Sequence, residues 1–72
     1  MTKEQAIQAM RDGQKVTHRY FTPDEWMMID KKAPIVKYIF EDGNTISSTM
    51  FWSDHSNPCF DIDWSVFKER GE

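Results

Sequence analysis

The chain has 72 residues, a net charge of −3 and 39% apolar side chains, which limits it to a single domain, residues 1–72, with no room for a second core. Cys59 is its one cysteine, so an internal disulfide is excluded, and no apolar run nears the roughly 20 residues that a membrane span needs. The aromatic share of 14% is high for this length.

Three tryptophans, Trp26, Trp52 and Trp64, stand among those rings. A core this small hides so many rings poorly, and a homo-oligomer is the expected remedy. A polar start, Met1-Thr2-Lys3-Glu4-Gln5, carries no apolar signal core, and a lone thiol suits a reducing compartment. The expected location is the cytoplasm. Charge is uneven: residues 1–40 balance at +2 and residues 41–72 at −5. With no long basic run, general nucleic-acid binding through phosphate neutralisation is not expected.

Thr2-Lys3-Glu4-Gln5 matches a capping box, a hydroxyl at the N-cap and Gln at the third helical position. Ala6, Ile7, Ala9 and Met10 follow at helical spacing, and Gly13 is a natural stop. This predicts a helix from about Lys3 to Asp12. Lys15 to Tyr20 then reads as a strand with Val16 and His18 on one face. Thr22-Pro23-Asp24-Glu25 is a turn, with Pro suited to its second position.

Trp26 to Ile29 reads as a second strand, ended by Asp30-Lys31-Lys32-Ala33-Pro34. Ile35 to Phe40 is the clearest strand, and Asp42-Gly43 predicts a hairpin of type I′ returning through Thr45-Ile46-Ser47-Ser48. Met50-Phe51-Trp52 is too short to type, Ser53 to Pro58 reads as loop, and Trp64 to Phe67 as a closing strand. The tail Lys68 to Glu72 is expected to fray. The sum is an α+β fold, one N-terminal helix packed on an antiparallel sheet of four to five strands.

Few constellations carry chemistry. His55 and Cys59 have a spacing that could seat two metal ligands, but a structural zinc site wants four. The same pair as base and nucleophile lacks a third orienting group. No metal and no cofactor is expected. Asp61 and Asp63 would project to one side of an extended segment, as a solvated acidic loop or as a carboxylate pair.

Lys15, His18 and Arg19 interleave with Tyr20 and Phe21. This cluster reads either as a phosphate seat with a stacking ring or as a charged strand edge that discourages aggregation. The glycines are isolated, and neither a phosphate loop nor a G-x-S-x-G motif occurs. With no catalytic site assembled, an enzyme is not expected.

Glu4-Gln5-Ala6-Ile7-Gln8-Ala9-Met10-Arg11-Asp12-Gly13-Gln14-Lys15-Val16 resembles the opening of short phage and prophage proteins, a helix leading into a basic first strand. Asp63-Trp64-Ser65-Val66 is similar to their ending. Together they resemble the Thoeris anti-defence family, over roughly the first 21 residues and the last ten. The chain departs from that pattern at Phe21-Thr22, where the family usually has Trp-Asn or Trp-Pro. It departs again across Phe51 to Phe60, where the family has a Leu-rich loop.

Members of that family sequester cyclic ADP-ribose-type nucleotides in oligomer interfaces. The resemblance therefore implies a non-enzymatic accessory protein that binds a small anionic nucleotide, with Arg19, Phe21, Asp63 and Trp64 as ligand-binding positions. The alternative is a protein-interaction module with no small ligand, its acidic C-terminal half docking on a basic partner.

Overall fold

Thr2 stands in extended backbone, and its hydroxyl accepts from the Gln5 N–H while the Gln5 side chain accepts from the Thr2 N–H. Two otherwise orphaned donors are thus satisfied reciprocally. In the computed structural model, which describes residues 1–32 and 34–68, this box opens helix α1, Lys3–Arg11. Ala6, Ala9 and Met10 form its buried face. Gly13 takes φ +89° just beyond the helix, a conformation that costs glycine nothing.

Five strands follow: β1 Val16–His18, β2 Met27–Ile29, β3 Lys37–Phe40, β4 Thr45–Ser47 and β5 Trp64–Val66. They form one sheet in the order β4-β3-β2-β1-β5, every pairing antiparallel. The fold is α+β, as expected. The strands are shorter than the runs read from the sequence: Lys15, Arg19, Tyr20, Trp26, Ile35, Val36 and Phe67 lie beyond their ends. β1 lies between β2 and β5, which overturns the reading of its basic cluster as a sheet edge.

The hairpin departs from type I′. That turn needs positive φ at both central residues, and of its loop residues only Gly43 has it, at +86°. Instead the Gly43 N–H donates to the Phe40 carbonyl at 2.9 Å, and the Phe40 N–H to that of Asn44 at 2.9 Å. Three residues, Glu41-Asp42-Gly43, make the loop, with Gly43 as the left-handed residue that such loops require.

Met50-Phe51-Trp52, too short to type from sequence, lies in a second helix, α2, Ser48–Asp54, which also takes in Ser53 and Asp54 of the segment read as loop. Ser47 caps it by accepting from the Met50 N–H at 3.2 Å. A 3₁₀ helix, Pro58–Asp61, comes next, capped by Asn57. Asp61 therefore closes a helical turn, and Asp63 has φ +69°; the two do not share one side of an extended segment. Of the tail expected to fray, Glu69 to Glu72 lies outside the described residues. Among those described, no helix is long and apolar enough to cross a membrane.

Residues directly opposite on paired strands share a face. Val16, Met27, Tyr38 and Trp64 lie on one face, and with Ala6, Met10 and Phe51 they make the core. Both helices cover that face. On the other, Met28 sits opposite Ile39, and Trp26 lies 6.4 Å from Phe67.

Tyr38 ties α2 to the sheet, its hydroxyl accepting from the Trp52 indole N–H at 2.8 Å. Burial pushes the Tyr38 phenol above its ordinary value of 10.0, and the Trp52 hydrogen bond and the Arg11 charge pull it back in part. The fold thus favours the neutral phenol. Its contribution is complete below pH 10 and is lost as pH rises through the folded value. In a Tyr20→Phe background Tyr38 is the sole tyrosine. Tyrosinate absorbance there is expected to titrate above 10.0, with stability falling over the same range. A midpoint at or below the ordinary value would refute the burial argument.

Candidate functional site

β1 stops at His18 because the chain turns: the Phe21 N–H donates to the His18 carbonyl at 2.9 Å, leaving Arg19 and Tyr20 at the corner. The His18 ring is 3% exposed. Its Nδ1 accepts from the Tyr20 N–H at 3.1 Å, which places the ring proton on Nε2. From there Nε2–H donates to the Cys59 carbonyl at 2.9 Å and the Ile62 carbonyl at 2.8 Å. A buried polar ring with both nitrogens satisfied is a structural clamp. It fastens the 3₁₀ segment to the end of β1.

That clamp sets Asp63 beside Arg19, 44 positions away in sequence. The Arg19 N–H donates to the Asp63 carbonyl at 3.2 Å, and Arg19 Nη1 lies 3.9 Å from Asp63 Oδ2. Both side chains are open to solvent, 70% and 39% exposed, so the ion pair contributes little to stability and leaves the guanidinium available. The two residues line an open recess of about 620 Å³ together with Thr2, Gln5, Ile62 and Ser65.

The sequence-predicted positions separate here. Arg19, Asp63 and Trp64 meet at the recess, and Phe21 does not line it. Phe21 instead packs edge-on against Trp64, centroids 5.6 Å apart. The Trp64 indole is 2% exposed and donates to the Phe60 carbonyl at 2.8 Å. A ring so enclosed belongs to the core, which removes Trp64 as a stacking platform.

The ring that is available is Tyr20. It is 64% exposed, and the Arg19 guanidinium carbon lies 5.9 Å from its centroid. Tyr20 was visible in the sequence only as a neighbour within the basic–aromatic cluster. Its exposure follows from the turn, which strand alternation does not reveal.

Of the possible metal pair, His55 is otherwise engaged. His55 stacks on Phe51 at 4.0 Å, and its Nδ1 lies 2.9 Å from the Phe51 carbonyl. Among the described residues no group of three or more ligating side chains could hold a metal ion. Comparison of the chain with protein-family models, curated proteins and solved structures gave no match.

Proposed function

We propose that this protein is a non-enzymatic phage or mobile-element accessory protein that sequesters a small anionic nucleotide, blunting a cyclic-nucleotide defence signal. The observation that carries the reading is the corner itself: an exposed guanidinium, Arg19, beside an exposed ring, Tyr20, on a backbone fastened by His18. Arginine gives phosphate oxygens two parallel hydrogen bonds from a planar fork. A base stacked on an aromatic ring gains about 1–3 kcal/mol without a base-specific edge. The Asp63 carboxylate, 3.9 Å from the guanidinium, offers an acceptor to a ribose hydroxyl.

Self-association belongs to the same reading. The sheet face turned away from the helices, with Met28 opposite Ile39 and Trp26 near Phe67, suits the self-complementary contact of a twofold dimer. The rival reading, a protein-docking module in the cytoplasm, is favoured by exposed Met50 and Ile62 close in sequence to Asp54, Asp61 and Asp63.

Calorimetric titration with cyclic ADP-ribose isomers and cyclic dinucleotides separates the two. Wild type is expected to bind one of them with a Kd below about 100 µM, or roughly 5.5 kcal/mol. Arg19→Ala should weaken that binding about tenfold or more while leaving the melting temperature unchanged, because an exposed charge contributes little to the fold. Light scattering on the same sample is expected to give at least a dimer mass. If no nucleotide binds folded wild type, the surface passes to a protein partner.

A further inference from the structure

A second recess, of about 460 Å³, opens between α1, α2 and the sheet. Its walls are Ile7, Ile29, Val36, Tyr38 and Trp52, and two cations, Arg11 and Lys31, stand among its lining residues. No carboxylate lines it among the described residues. The volume falls within the range of small-molecule sites, which are mostly apolar with a few placed polar groups.

Neither cation is held elsewhere. Among the described residues the Arg11 and Lys31 side chains make no ion pair or hydrogen bond. The Lys31 amine lies against the turn after α1, 3.5 Å from where a Cβ on Gly13 would stand. The carbonyls of Gln8, Ala9 and Met10 already accept from the N–H groups of Asp12, Gly13 and Gln14 at 3.0–3.1 Å.

Tyr38 adds a donor. Its hydroxyl oxygen accepts from Trp52, and its own proton has no acceptor among the described residues.

We infer that this recess binds a small aromatic anion, its flat body between the aliphatic walls and Trp52 and its anionic group between Arg11 and Lys31. The site is independent of the Arg19 corner and shares no lining residue with it. Apolar walls alone would take a neutral ring, whereas two cations at one recess, neither in an ion pair among the described residues, select a charged one.

1-Naphthyl phosphate is the probe, titrated against labelled protein and read by amide and indole chemical shifts. Saturable shifts are expected at Ile7, Tyr38, Ser48 and the Trp52 indole. The Arg11→Gln/Lys31→Gln variant, altered at two exposed positions, should keep the wild-type melting temperature and bind at least about tenfold more weakly, a 1.4 kcal/mol difference. Neutral 1-naphthalenemethanol should bind wild type more weakly by a similar factor. Arg19→Ala should bind the phosphate as wild type does, so loss of nucleotide binding at the corner and loss of binding here are told apart.

Undiminished affinity in the double variant would overturn the inference. So would shifts that never saturate, shifts gathered around Arg19 and Asp63, or lining amides that move with protein concentration alone, which would mark a second copy as the occupant.

Discussion

His18→Ala is expected to lower stability by about 3–5 kcal/mol and the melting temperature by roughly 15–30 °C. A domain of this length has only about 4–11 kcal/mol in total, so much of the variant should be unfolded in mild denaturant. The loss has two parts. Removing the ring leaves a void beside Phe60 and Trp64, whose centroids lie 4.6 and 4.8 Å away. It also strips the Cys59 and Ile62 carbonyls of their donor and the Tyr20 N–H of its acceptor, and each such hydrogen bond contributes about 0.5–1.5 kcal/mol net.

His18→Phe separates the parts, because it fills the space and restores no hydrogen bond. It should fall between wild type and alanine. A denaturant midpoint for His18→Ala close to that of wild type would remove the clamp as a stabilising element, and with it the account of why Asp63 meets Arg19.

Trp64→Ala is expected to cost about 3–5 kcal/mol as well. The indole is the largest fully buried side chain. It meets His18, Phe21 and Trp52 at 4.8, 5.6 and 5.6 Å, each edge-on. Trp64→Phe keeps a ring and loses only volume and the hydrogen bond to Phe60, so it should cost about half as much or less. Equilibrium unfolding followed by circular dichroism ranks the two. A stable, cooperative Trp64→Ala domain would return that ring to the list of ligand contacts. His18 and Trp64 touch, so the double variant should not show the sum of the single losses.

These two residues also mark what the sequence disclosed. Alternation across Val16-Thr17-His18 put His18 on the inner face, and that is where it lies. What alternation could not show is that an inward histidine finds three backbone partners, two of them more than 40 positions away. The capping box of α1 was legible because all its donors and acceptors lie within four residues.

α2 was not legible. It has seven residues with Phe51 as its one buried position, too few to display a helical period, and its Ser-Thr start favours turns as much as helices. The Asp42-Gly43 step located the hairpin and misjudged its loop, because strand register sets loop length and register is decided by partners across the sheet. The meeting of Arg19 with Asp63 was not legible, since no local pattern links them; the resemblance named them only as separate ligand positions. Tyr20 was read as one ring of the basic–aromatic cluster, but its exposure was not: a turn, once formed, sends out a ring that strand alternation alone does not place.

β1 also has a history that the finished sheet conceals. Val16 pairs with Met27 on one side and with Val66 on the other, so one neighbour is made soon after it and the other 50 residues later. As the chain folds, β2, β3 and β4 can assemble beside β1 before the sequence-distant β5 docks. During that interval β1 offers a row of unpaired N–H and C=O groups, the template on which nascent chains join one another. Lys15 and Arg19 bracket it on either end. In the mature protein these two charges guard nothing; on an incomplete chain they stand where gatekeepers against aggregation belong.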